Sequence, residues 1–256
     1  GNIVTGSVFI SNTQYGEQRM LAKFEGDPIN QDIFFHSYYL PQGTILRMPG
    51  TVNPGWPQPN EPNFPCGIMA GFGACSVSAT VDLWECGWGT NGPGIGGAPA
   101  DGSQIIEVTF DQGTSTYTTQ TLFSLGGNGG QVTVAGDMVY RPSDNTIFIL
   151  CWDSATGKGG VRHYTYSGTI IDEAWFPAIP SSYVGTPVTR ATFAHTMYCS
   201  SGEVYFFRGS GGPDAHVIFR VDEPTIPGTG LTFVAIANPP TFPQGAWWSP
   251  TNATNE

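Results

Sequence analysis

The carboxylates are the residues with the most direct chemical use. Asp82, Glu85, Asp137, Asp153, Asp172, Glu173, Asp214, Asp222 and Glu223 could supply the acid and base of glycoside hydrolysis. Asp82-Leu83-Trp84-Glu85 sets two of them beside an indole, a side chain that stacks on sugar rings. Asp137 opens a strand that would line a central channel if the strands were arranged in a ring. A hydrolytic pair is defined by separation in space, however, and no sequence spacing identifies one. In a chain with 20 acidic residues, these positions read first as turn and strand-edge residues.

Other catalytic patterns are weaker. His36, His163, His195 and His216 are spread along the chain, and His163 and His216 fall on third strands of successive units. Separate outer strands do not converge on an ion, so these read as satisfied structural histidines and no metal is expected. Gly92-Pro93-Gly94-Ile95-Gly96-Gly97 matches GxGxxG, but Ala98-Pro99-Ala100 follows where a dinucleotide site needs a helix. Gly157-Lys158-Gly159 lacks the rest of a phosphate loop and reads as a hairpin. Neither GxSxG nor HExxH occurs, so no cofactor and no catalytic residue is expected. Cys66, Cys75, Cys86, Cys151 and Cys199 form no CxxC pair. A disulfide among Cys66, Cys75 and Cys86 is compatible with the order of residues, whereas Cys151, inside an apolar run, reads as a core thiol.

The aromatics are more informative about binding. Trp84, Trp88, Trp152, Trp175, Trp247 and Trp248 lie in or beside strands, where most should be core. Trp56 lies in Asn53-Pro54-Gly55-Trp56-Pro57-Gln58-Pro59, a rigid stretch suited to presenting a ring to a sugar or a protein. Trp56, Trp84 and Trp88 are therefore the candidate binding residues. The competing role for Trp56 is to fold back as a cap on the core.

Elements that could position these residues follow from composition. The chain has 256 residues, with Gly 35 and Pro 21, and only 11% are charged. Aromatics at 13% and clear alternating runs argue for many short strands joined by turns rather than for disorder. A net charge of −11, with lysine only at Lys23 and Lys158, opposes nucleic-acid binding and anionic membrane surfaces. No apolar run is long enough for a spanning helix. Gly1, with no methionine or apolar leader before it, reads as a processed or engineered start. The sequon at Asn252 fits an exported protein.

Four similar segments recur. Lys23-Phe24-Glu25-Gly26-Asp27, Thr109-Phe110-Asp111-Gln112-Gly113, Thr165-Tyr166-Ser167-Gly168-Thr169 and Arg220-Val221-Asp222-Glu223-Pro224 each close an alternating run and open a polar turn. Their aromatic or apolar residues are 86, 56 and 55 positions apart, and the interval through both ends is 59. The third unit is the clearest: strands over 137–140, 146–152, 161–166 and 169–176. The fourth runs through 195–198, 203–208, 216–221 and 231–237. The second takes 66–70, 80–86, 104–110 and 118–125, with insertions at 48–65 and 87–102. Gly245-Ala246-Trp247-Trp248-Ser249-Pro250 is like Gly136 to Pro142, a first strand and its turn. It would complete a blade whose other strands are 3–11, 18–25 and 32–40.

This pattern resembles β-propeller repeat proteins over almost the whole chain, without the signature of a named propeller family. The resemblance implies one all-β domain, residues 1–256: a small propeller of four blades with four antiparallel strands each, closed by the C-terminal strand. The blades would be 246–256 with 1–42, then 66–125, 136–178 and 194–240. The expected role is non-enzymatic: an extracellular or virion-surface structural or adhesion protein, such as a phage tail, fibre or capsid-surface component. Its partner would be another protein or another copy, or a glycan, with no nucleic acid and no membrane insertion. The alternative is a secreted lectin or glycoside hydrolase.

Overall fold

The computed structural model describes residues 18–23, 33–37, 45–48, 58–59, 74–78, 80–86, 104–111, 116–125, 132–178, 183, 185, 187–188, 193–209 and 211–236. Every regular element among them is a strand, so the chain is all-β. No helix among the described residues is long and apolar enough to cross a membrane.

The best-defined architecture is three consecutive antiparallel meanders of four strands. The second sheet holds β5 (Ala74–Ser78), β6 (Val81–Cys86), β7 (Gln104–Asp111) and β8 (Thr116–Ser124). The third holds β9 (Val132–Arg141), β10 (Thr146–Asp153), β11 (Lys158–Thr165) and β12 (Ile170–Trp175). The fourth holds β13 (Ala194–Ser200), β14 (Glu203–Arg208), β15 (Ile218–Asp222) and β16 (Thr232–Ala235). A first sheet precedes them: β1 (Gln18–Lys23), β2 (Ile33–Ser37), β3 (Ile45–Met48) and the two-residue β4 (Gln58–Pro59). The leading strands β5, β9 and β13 lie side by side, and β1 approaches β5.

Turn chemistry explains the short connections. Ser200 pairs with Glu203, and the two residues between them, Ser201 and Gly202, both have positive φ, 52° and 84°. That is the primed two-residue turn whose twist suits antiparallel strands. The turn from Arg141 to Thr146 ends on Asn145 at φ 58°, a conformation that asparagine tolerates. Gly159 is required for space: a Cβ there would lie 2.1 Å from the Phe193 ring.

The third sheet lies between two cores, and pleating decides which residue joins which. On β10, Ile147, Ile149 and Cys151 enter a core shared with Cys75, Leu83 and Ile105 of the second sheet. Phe148 and Leu150 enter a core shared with Val204, Phe206, Phe219 and Val221 of the fourth. Successive side chains point to opposite faces, so an uninterrupted apolar run is what a strand packed on both faces requires. Complete burial of each such side chain is worth about 1.5–3 kcal/mol.

Polar ties cross both junctions. Between the second and third sheets, the Tyr166 hydroxyl donates to Glu107, and Arg162 Nη1 donates to the Leu125 carbonyl at 3.3 Å. Between the third and fourth, the Met197 N–H donates to buried Asp137 at 3.1 Å, and the Leu231 N–H donates to the Glu173 carbonyl at 3.1 Å. One oxygen of Asp172 accepts the N–H groups of Gly228 and Gly230, both at 2.9 Å.

Several sequence expectations need correction. The second sheet begins with Ala74–Ser78 rather than 66–70, because the small alternating run Ala74-Cys75-Ser76-Val77-Ser78 pairs with β6. The first sheet draws its strands from 18–59, so 45–48 and part of the 48–65 insertion are strand. Ile45 pairs with His36, and Pro59 pairs with Leu46. Proline lacks an N–H and is tolerated on an edge strand such as β4. The segment at Lys23 accordingly ends a first strand, whereas those at Thr109, Thr165 and Arg220 mark third strands. Cys75 is a free buried thiol, so it forms no disulfide with Cys66 or Cys86. The expected closure between 245–256 and 3–11 lies outside the described residues.

Candidate functional site between the third and fourth sheets

Among the described residues, a compact group of titratable side chains lies where the β9–β10 turn meets the segment after β15. Arg141 ends β9, Asp144 and Asn145 occupy the turn, and Thr146 begins β10. The Asp144 carboxylate accepts from Thr146 Oγ1 at 2.8 Å and from Arg141 Nε at 2.9 Å. Its second oxygen also receives Arg141 Nη2. From the fourth sheet, Glu223 accepts Nη2 of the same guanidinium at 3.0 Å and Nη1 through its other oxygen. Arg141 Nη1 also reaches the Gly202 carbonyl at 3.5 Å. One arginine thus holds its own turn and ties it to two points of the neighbouring sheet.

Below the guanidinium, Phe148 carries two contacts. Arg141 lies over its ring at 4.8 Å from the centroid, and His163 stacks on it at 4.0 Å with the planes 10° apart. His163 is on β11 and is buried. Its Nδ1 faces Glu223 Oε2 at 3.4 Å, but neither ring nitrogen makes a hydrogen bond.

The electrostatics follow from these contacts. Burial alone would lower the Arg141 value, but bonds to Glu223 and Asp144 raise it well above the ordinary one. Burial alone would raise Asp144, but bonds from Arg141 and Thr146 hold its carboxyl below 3.8. Burial lowers His163 below 6.5, Glu223 opposes that, and the charge on Arg141 reinforces it. At neutral pH Arg141 is therefore a cation, Asp144 a carboxylate and His163 a neutral imidazole.

This arrangement is suited to holding, not to proton transfer. Asp144 is too acidic to donate a proton near neutrality. Asp144, His163 and Glu223 present ligand-type atoms within 4.8 Å of one another, a spacing compatible with a dication. The Arg141 guanidinium already bonds both oxygens of both carboxylates and supplies the counter-charge, so the group is an ion-pair cluster.

The residues singled out by sequence are dispersed. Trp84 is fully buried on β6 and offers no ring face to a ligand, which corrects its binding role to a core role. Trp56, Trp88 and the GxGxxG stretch lie outside the described residues, as does the side chain of Glu85. Asp82 and Asp137 are buried, with Asp137 bonded to the Met197 amide. Asp153 organises its own hairpin through the Ala155 amide at 2.9 Å and the Thr156 hydroxyl at 2.7 Å. Asp222 pairs with Arg220, with contacts of 2.5 and 2.9 Å. His216 is exposed just before β15 at φ 65°, not on the strand. His163 is on its expected strand but lacks the expected hydrogen bonds.

Sequence spacing missed Arg141 and its union with Glu223, 82 positions away. The available signal was scarcity: with nine basic residues in the chain, a charged residue at a turn flanked by apolar strands needs a partner. No protein-family model and no curated protein matches this chain.

Proposed function

We propose that this chain is a non-enzymatic scaffold, a small propeller-like ring that presents loops for adhesion or assembly at an extracellular or virion surface. The observation that carries this reading is the commitment of polar groups at the sheet junctions. Among the described residues, Arg141, Asp172 and Glu223 spend their polar atoms on bonds to neighbouring strands and loops. Side-by-side β5, β9 and β13 support the blade arrangement. In this reading the C-terminal segment 245–256 pairs with residues 3–10 and closes four blades, which removes a free sheet edge. The Pro-rich stretch 48–65, with Trp56, is the contact element, since its prolines limit the entropy lost on docking.

One experiment separates the roles. Purified protein is incubated with a panel of oligosaccharides, and released sugar, bound sugar and self-association are measured. The scaffold reading expects neither turnover nor sugar binding, with self-association weakened by Trp56→Ala at unchanged melting temperature. Sugar release would establish the hydrolase instead, and sugar binding alone would establish the lectin. Deleting 245–256 tests the ring separately: aggregation or a large fall in melting temperature is expected, and an unchanged melt overturns closure.

A further inference from the structure

We propose that His163 makes the junction between the third and fourth sheets acid-labile: a charged ring cannot stay seated on Phe148, and its departure loosens the loop 223–230 from the third sheet. The geometry begins with the ring's position. His163 is buried against Phe148, and its nitrogens make no hydrogen bond. A neutral ring can rest there on stacking alone. A charged ring needs an acceptor for each N–H.

The groups facing it come from several elements. Arg141 from β9, Asp144 from the β9–β10 turn, Asp172 from β12 and Glu223 beyond β15 all act on its charge. On the β13 side, Cys199 is under the influence of Arg141 and Asp144, with its thiol held neutral by burial. Arg162 and Tyr164, its chain neighbours, engage the other face of the sheet. Among the described residues, the carboxylate oxygen within ion-pair distance of His163 is Glu223 Oε2, at 3.4 Å. That same oxygen receives Arg141 Nη2 at 3.0 Å. A proton on Nδ1 would leave Glu223 shared between two cations of the third sheet, and would set the imidazolium and the guanidinium against the same Phe148 ring. The Nε2 N–H, which has no acceptor, would then belong to a buried charge, and that costs more than on a neutral ring.

The sign follows from linkage. The folded His163 has a value below the ordinary 6.5, so the unfolded or opened chain binds the proton more readily. The stability tied to neutral His163 is complete above about 6.5 and is lost as pH falls toward the folded value. Asp144, held below 3.8, gives up its contribution only in a more acidic window. Mild acid therefore reaches His163 before Asp144. The part released is specific: Glu223 begins the loop whose Gly228 and Gly230 amides bond to Asp172, and the Leu231 amide follows.

The test is hydrogen exchange of the intact protein at about pH 7.5 and about pH 5, corrected for intrinsic rates. The Gly228, Gly230 and Leu231 amides should lose protection in acid, while amides pairing β7 with β8 keep theirs. His163→Phe, which keeps an aromatic ring on Phe148 but carries no titrating proton, should abolish the acid effect. His163→Gln provides the same comparison if the phenylalanine variant folds poorly. Unchanged protection in the wild type, or an equal acid effect in a folded variant, overturns the proposal.

Discussion

The two junctions of the third sheet solve the same packing problem with different materials. Toward the second sheet, the core is mainly aliphatic and sulfur-containing: Leu83, Ile105, Met138, Ile147 and Ile149, with Cys75 and Cys151. Toward the fourth sheet a group of phenylalanines, Phe148, Phe193, Phe206 and Phe219, joins the aliphatic residues Val139, Leu150, Val161 and Val204. Phe206 stacks on Phe219 at 5.4 Å, Phe176 stacks on Phe233 at 4.8 Å, and Phe193 meets Phe176 edge-on at 5.9 Å. The aliphatic junction adds a tyrosine–carboxylate bond and an arginine–carbonyl bond. The aromatic junction adds the Arg141 cluster and the Asp137 and Asp172 ties. Aliphatic contacts are non-directional, whereas stacked rings and forked guanidinium bonds fix an orientation. The comparison teaches that one junction resists mainly by burial and the other adds a set geometry that titration can disturb.

The largest test of that contrast is Phe206→Ala. It removes a fully buried ring shared by several aromatic pairs and should lose about 3–5 kcal/mol in denaturant unfolding. A loss below that of an ordinary aliphatic truncation would show that the aromatic junction is not close-packed. Arg141→Met comes next, at roughly 1–3 kcal/mol, because it leaves Asp144 and Glu223 without their cation. Both carboxylates are partly exposed, so water softens the loss below that of a fully buried pair. A double-mutant cycle with Glu223→Gln should give a measurable coupling, and simple additivity would contradict the cluster.

Asp172→Asn should follow, since it keeps an acceptor for Gly228 and Gly230 but removes the charge. The expected loss is about 1 kcal/mol in the same assay, with exchange protection reduced at those two amides. The smallest effect belongs to the aliphatic junction. Tyr166→Phe removes the hydroxyl bond to Glu107, and about 0.5–1.5 kcal/mol should be lost. A larger loss there than for Arg141→Met would reverse the assignment of directional bonding to the fourth-sheet side.

The third and fourth sheets were legible in the sequence because their local signals agree. The unbroken apolar run 147–152 could only be a strand packed on both faces, and Pro142 and Asn145 marked the turn before it. The first sheet was harder. Proline at 49, 54, 57 and 59 made 48–65 read as an insertion, while pairing with β3 makes Gln58–Pro59 an edge strand. In the second sheet, the apolar 66–70 drew attention from Ala74–Ser78, whose modest residues succeed by register with β6. The Arg141 cluster was the least legible. Its members are ordinary turn residues locally, and only the packing of one sheet on the next brings Glu223 to the guanidinium.

The alternation along β10 has a consequence for how this protein can change. Because neighbouring residues address different cores, adjacent codons act on different partners: Ile149 packs toward the second sheet, Leu150 toward the fourth. The third sheet is thus a partition between two mutational neighbourhoods. Compensating substitutions should accumulate within each side and rarely across it, so a lineage could rework one junction while inheriting the other intact.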